Sequence, residues 1–420
     1  MKIRTRGILA ASIYLTIIGL AGVVIAKQSA SVTAHAQITP SQQTANQPVN
    51  AKWVGGHTKL TFNLFSEILK QQPNENIFIS PISVAIALDL VYNGASGKTQ
   101  QAIAKTLELQ GINLEEINQA NAAFKGNLKN LDPKVQLSIA NSLWVREGSP
   151  FNPQFMQIVQ DFYGAEVKHT NFGHPTAVLL INNWVKQSTN GKIDKIIDEI
   201  EPNSVFLLLN AIYFKGNWQA PFAKEATEPR PFTLVNGTQK QHPMMRQQKL
   251  GYFPYYGNEM FQAISLPYGA GRLSMYIFLP NQGISLQTFY GTLNAENWQK
   301  WMNQFDPYEG GIKVSIPRFK ANYSIELKDA LKAMGMDIAF GTEADFSAMT
   351  SSSVQINKVI HKTFVEVNEE GTEAAGVTEA GAVRSAAIEM TVDHPFFFAI
   401  RDNQTGAILF MGSIVEPKDE

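Results

Sequence analysis

From Trp53 onward, apolar residues recur first at helical spacing and later at strand spacing. Residues 58–70 place Leu60, Leu64, Phe65, Ile68 and Leu69 along one side of a helix. Pro81 opens a denser run of Ile82, Val84, Ala85, Ile86, Leu88, Leu90 and Val91. It predicts a buried helix with proline in its first turn and Gly94 at its end. A third helix is predicted over 99–107. Strand patterns follow. Residues 135–145 alternate, and 205–214 are almost wholly apolar, as a central strand requires. Further strands are predicted at 263–266, 273–279, 311–316, 354–367 and within 396–414. No internal repeat or linker divides the chain after Trp53. Helices gather early and strands late, which predicts an α+β fold around a large sheet.

One segment resists this reading. Between Glu369 and Ser385 every second residue from Thr372 is small: Ala374, Gly376, Thr378, Ala380 and Ala382 complete the set. The interleaved positions are Glu373, Ala375, Val377, Glu379, Gly381 and Val383, which carry both remaining carboxylates. Such alternation suits a strand with one face on a core and the other in water. The composition does not, because Ala, Gly and Glu are depleted in sheets. The segment therefore reads as a loop with a strand pattern latent in it. A polar surface loop is the plainer alternative.

Four polar residues stand where apolar ones are expected. Asn210 closes a run of leucines, Ser80 and Ser83 flank the proline of the buried helix, and His361 interrupts the strand predicted at 354–367. Buried polar groups are costly unless they are bonded to one another. A mutual cluster and simple helix capping by the serines are both open on spacing alone.

Composition narrows the function. Thirty-five basic and thirty-six acidic side chains leave a net charge of -1, without the basic excess of a nucleic-acid binder. The chain has no cysteine, which excludes disulfides and thiolate chemistry. At the N-terminus, Lys2, Arg4 and Arg6 precede an uncharged, largely apolar stretch at 7–26, and Ala34-His35-Ala36 offers a small-x-small cleavage site. Residues 1–36 are thus expected to be a signal peptide, with 37–52 a linker and the product extracellular or periplasmic. Retention of 7–26 as a membrane anchor is the alternative. Catalytic motifs are scarce, and no enzyme activity, metal or cofactor is expected. Residues 94–99 resemble the end of a phosphate-binding loop, but Tyr92 occupies the position of its first glycine, so a turn between helices is expected. His169 and His174 are expected in a surface loop.

Residues 365–375, Val-Glu-Val-Asn-Glu-Glu-Gly-Thr-Glu-Ala-Ala, resemble the proximal hinge of the serpins, the protease inhibitors that act by loop insertion. Other blocks agree in order: Asn76 to Ser83, Ile181-Asn182 with Gly191-Lys192-Ile193, Asn210 to Trp218, and Asp393-His394-Pro395 before three phenylalanines. The resemblance covers about 53–418. It implies three β-sheets, one of them dominant, with eight or nine helices and an exposed reactive-centre loop at about 369–390.

The resemblance also assigns roles. Ser80, Ser83, Asn210 and His361 would form a hydrogen-bonded shutter under the main sheet. Trp218, Arg318 and Glu369 would form the breach where the loop enters, with Arg318 paired to Glu369. Glu369, Glu370, Gly371, Thr372, Glu373, Ala374, Ala375, Gly376 and Val377 would be the hinge. Gly376 and Val377 depart from the commonest all-alanine run but remain compatible with insertion. Counting back from Pro395 sets the scissile bond at Arg384–Ser385 and implies a trypsin-like serine protease as partner. Counting from the hinge gives Ser385–Ala386 and an elastase- or subtilisin-like one. The intact small set favours an inhibitor over a non-inhibitory binding or chaperone protein. A monomer is expected. With only Lys125 and Lys129 basic in 111–131, no strong heparin-type site is expected there.

Overall fold

The computed structural model describes residues 47–129, 131–370 and 386–419. The first helices are α1 (Ala51–Gln71), α2 (Pro81–Gly94), α3 (Gly97–Thr106) and α4 (Leu114–Leu128). After them come α5 (Pro153–Ile158), α6 (Ala177–Ser188), α7 (Leu286–Tyr290), α8 (Ala295–Met302) and α9 (Lys328–Leu331). The first strands are β1 (Ile77–Ile79), β2 (Val135–Arg146), β3 (Glu166–Thr170), β4 (Phe206–Gly216), β5 (Glu228–Thr233) and β6 (Gln239–Arg246). Next are β7 (Pro254–Gly257), β8 (Phe261–Tyr268), β9 (Leu273–Pro280), β10 (Asp306–Pro307) and β11 (Ile312–Pro317). The last are β12 (Phe319–Glu326), β13 (Val359–Val367), β14 (Ile388–Thr391), β15 (Phe396–Asp402) and β16 (Ile408–Ile414).

These strands form three sheets. Five pair in the order β12-β13-β4-β2-β3, seven as β1-β16-β15-β9-β8-β7-β10, and four as β14-β11-β6-β5. The five-stranded sheet holds the two longest strands, β2 and β4, with twelve and eleven residues. In it β4 is antiparallel to β2, and β13 is antiparallel to β12. The join between β13 and β4 is parallel, running from Val359↔Leu208 to Val365↔Phe214.

Both faces of that join are covered, which explains why β4 reads as one apolar run. Phe206, Leu208, Ile212 and Phe214 belong to the main core, which also includes α2. Leu207, Leu209 and Ala211 face a second core with Trp144, Ile181 and Trp184, closed by α6. A strand buried on both sides loses the alternation that exposes one face to water.

Two boundaries differ from the sequence expectation. Helix α1 already starts at Ala51, inside the stretch expected to be a linker, because the Asn50 side chain accepts hydrogen bonds from the Lys52 and Trp53 amides. The Gly55-Gly56 pair hides the helix from a spacing argument. Gly56 is required there, since a Cβ would lie 2.5 Å from the Glu108 carbonyl oxygen. The strand predicted at 354–367 begins only at Val359. Val354 and Ile356 are buried, but the Ile356 amide bonds to the Ala339 carbonyl and not to a strand. Alternate burial along irregular backbone imitates strand alternation.

Residues 94–99 join α2 to α3, and His169 lies in β3 while His174 turns onto the Thr176 hydroxyl (2.7 Å). Beneath α1, α2 and α4 lies a buried polar group that the sequence reading did not anticipate. One oxygen of Asp89, Oδ2, accepts from Trp53 Nε1 (3.0 Å) and Asn121 Nδ2 (2.8 Å) and lies 3.1 Å from His57 Nε2. Asp89 sits near the middle of α2, where an apolar residue would be expected.

Candidate functional site

The parallel join between β13 and β4 carries a row of polar side chains across three strands. Register pairs His361 with Asn210, and Asn210 with Asn141 on β2. Asn210 Oδ1 lies 2.7 Å from His361 Nδ1, and Asn210 Nδ2 donates to Asn141 Oδ1 at 2.6 Å. The same amide donates to the Ser83 hydroxyl. On its other edge, His361 Nε2 accepts from the Ser80 amide at 2.9 Å. An imidazole that accepts at Nε2 must donate at Nδ1, so its neighbours select the neutral Nδ1–H form. Burial acts in the same direction and pushes the His361 pKa down to about 3.

Ser80, Ser83, Asn210 and His361 therefore meet in one hydrogen-bonded group. The capping alternative fails, because Ser80 makes no side-chain cap bond. Its hydroxyl instead donates to the Leu409 carbonyl on β16 at 2.6 Å, tying the start of α2 to the seven-stranded sheet. One member of the group, Asn141, and one neighbour on β13, Thr363, escaped the sequence reading. Thr363 donates from Oγ1 to the Phe78 carbonyl at 2.6 Å, one turn of the alternation beyond His361. Asn141 had a signal: it is the polar residue among Val135, Leu137, Ile139, Leu143 and Val145 at alternate positions.

The C-terminal end of β13 is fastened at a second cluster. Arg318 stands between the last residue of β11 and the first of β12, at the junction of the four- and five-stranded sheets. Its Nη1 lies 3.5 Å from Glu369 Oε1, and the Thr227 hydroxyl donates to the same oxygen at 2.7 Å. Trp218 stacks on Tyr268 at 4.3 Å between ring centroids. Its indole N–H donates to the Asn368 carbonyl (2.8 Å), and its amide N–H to the Glu370 carbonyl (3.1 Å). Glu370 pairs with Lys215 of β4 at 2.7 Å, which lowers the carboxyl pKa and raises that of the amine. The backbone leaving β13 is thus held on both sides as far as Glu370.

The rest of the predicted hinge, Gly371, Thr372, Glu373, Ala374, Ala375, Gly376 and Val377, lies outside the described residues, as do Arg384 and Ser385. The described chain resumes at Ala386, whose carbonyl accepts from the Tyr308 hydroxyl at 3.0 Å just before β14 pairs with β11.

The state of His361 has a measurable consequence. A base whose folded pKa is depressed contributes stability that is complete above its unfolded value, about 6.5, and is lost as the pH falls toward 3. One proton gives a slope of about 1.4 kcal/mol per pH unit in that window. His361→Gln should therefore be less stable than the parent near pH 7, and the gap should close as pH falls from 6 to 4. Urea midpoints of both proteins across that range check it, and parallel profiles would exclude the histidine as the titrating group.

Known proteins resemble this chain over most of its length. A family model described as Serpin (serine protease inhibitor) matches residues 56–417. Neuroserpin of Homo sapiens is 34% identical over 375 residues, covering 86% of this chain and 90% of its own length. Leukocyte elastase inhibitor of Homo sapiens is also 34% identical, over 86% of this chain and 98% of its own. Among solved structures, the native state of the thermophilic serpin tengpin superposes with a TM-score of 0.78 at 30% identity. That match covers 89% of this chain and 97% of tengpin.

Proposed function

This chain belongs to the serpin family, and from that premise we propose that it is a suicide-substrate inhibitor of trypsin-like serine proteases. The protease attacks the Arg384 carbonyl and forms an acyl-enzyme, with Arg384 in its acidic specificity pocket. Once the Arg384–Ser385 bond is cut, the segment from Gly371 onward inserts between β13 and β4 and carries the protease with it. The chain itself needs no cofactor for this and acts as a monomer.

The observation that supports this most strongly is the direction of the two strands at the join. A segment leaving the end of β13 and folding back beside it must run antiparallel to β13. Because β4 runs parallel to β13, the same segment is antiparallel to β4 as well. Insertion therefore replaces one parallel ladder with two antiparallel ones, which are the more stable type per residue. Each ladder bond contributes about 0.5–1.5 kcal/mol net. The bond between Asn210 and His361 must break for the strands to part, while Asn210 can keep Asn141 and His361 can keep Ser80. Insertion then costs the polar row one link.

Incubation with trypsin followed by a denaturing gel tests the proposal. A covalent band at the summed mass is expected, and plain cleavage without that band would leave a non-inhibitory role. The mass of the small C-terminal peptide identifies the bond, because it begins at Ser385 if Arg384 is the specificity residue. A peptide beginning at Ala386 would move the target to elastase- or subtilisin-like enzymes. The proposal also places the protein outside the cytoplasm after removal of residues 1–36, so the mature chain should begin at Gln37 on N-terminal sequencing.

A further inference from the structure

We infer that Asp419, in the C-terminal tail, is a positioning residue for the loop's point of insertion, acting through Arg318; this rests on the insertion reading above. Arg318 faces two carboxylates. Asp419 takes the Nε and Nη2 edge of the guanidinium, with Nε at 2.9 and 3.0 Å from its two oxygens and Nη2 in contact with Oδ2. That leaves Nη1 directed to Glu369, 3.5 Å away. A guanidinium is planar, so fixing one edge fixes the direction of the other. The carboxylate of Asp419 thereby aims the cation at the hinge.

The tail is stitched into place over several residues. The Asn76 side chain accepts from the Val415 and Glu416 amides at 2.8 and 3.0 Å. Lys240 Nζ holds Glu416 Oε1 (2.9 Å) and the Pro417 carbonyl (3.0 Å). The Lys418 carbonyl accepts from the Lys320 amide of β12 at 2.7 Å, at the edge of the five-stranded sheet. Together with Arg318, Lys320, Glu366 and Glu369, Asp419 then lines a cleft of about 240 Å³ beside the end of β13. The backbone of Arg318 is held independently, with its amide on the Pro243 carbonyl (3.0 Å) and its carbonyl 2.5 Å from His242 Nε2. Only the side chain's direction is left for Asp419 to decide.

A double-substitution cycle on the full, uncut chain separates positioning from mere fastening of the tail. The proteins are the parent, Asp419→Asn, Glu369→Gln and the pair, and the readout is the urea-unfolding constant at neutral pH. Asp419→Asn alone should lower the folding constant about three- to fivefold. In the Glu369→Gln background the same substitution should have less than half that effect on a logarithmic scale, because Arg318 no longer has a hinge carboxylate to face. Equal effects in both backgrounds would overturn the proposal and leave Asp419 as a tie for the tail. A gain in stability would also overturn it, by showing that Asp419 draws Arg318 away from Glu369. No protease enters this measurement, so it is independent of the trypsin gel, and failure of one does not imply failure of the other.

Discussion

Thr372→Arg is expected to fold like the parent and to be cut by trypsin without trapping it. The reason lies in the face that the small set of residues would present on insertion. The inward side chains bordering the join are Leu208, Ile212 and Phe214 on β4, with Val359, Thr363 and Val365 on β13, and all are buried. The polar groups among them, Asn210 and His361, are committed to one another and to Asn141, Ser80 and Ser83. Among these described side chains a guanidinium meets no carboxylate, and an unpaired buried charge costs several kcal/mol. On the proposed mechanism, inhibition depends on insertion outrunning deacylation, so a barrier raised by even about 1.4 kcal/mol shifts the partition tenfold. The covalent band should disappear while cleaved chain accumulates. A variant that still traps protease would show that the alternating set faces the other way.

Asp89→Ala is expected to cost about 3–5 kcal/mol of stability without touching the join between β13 and β4. Removing the carboxylate deprives the Trp53 indole of its acceptor, the Asn121 amide of one of its two and His57 of its partner, with all three buried. Trp53 lies edge-on to His57 at 4.3 Å, so the aromatic packing that anchors α1 depends on the same group. Urea unfolding should show the loss, and the molecules that remain folded should still form the covalent complex in proportion. A change under 1 kcal/mol would mean that water reaches the site and takes the place of the carboxylate.

Much of this architecture could be read from residue patterns, and the failures have physical causes. Strands β2, β4, β8, β9, β15 and β16 announce themselves because burial on one or both faces fixes their periodicity. Strand β5 does not, since Pro229 and Pro231 argue against any strand. It is tolerated because β5 is an edge of the four-stranded sheet, where a missing amide donor goes unnoticed. Strand β3 is an edge too, and its mostly polar residues carry no apolar signal. At the site, the oddness of Ser80, Asn210 and His361 was legible as polarity in apolar surroundings. Their meeting was legible only through the family resemblance and not from spacing, because it depends on the register between strands far apart in sequence. Asp419 gave no sign at all, as one acid in a charged tail looks like any other.

The C-terminal strands have a further consequence. Every residue after a cut at Arg384–Ser385 belongs to a short peptide, yet that peptide contains β14, β15 and β16. Strand β15 is hydrogen-bonded between β9 and β16, and β16 in turn pairs with β1. Phe396, Phe397, Phe398 and Phe410 on these strands are wholly buried. The nicked protein is therefore a two-chain assembly whose smaller subunit supplies inner strands of a sheet, and it should migrate as one particle until a denaturant separates the pieces.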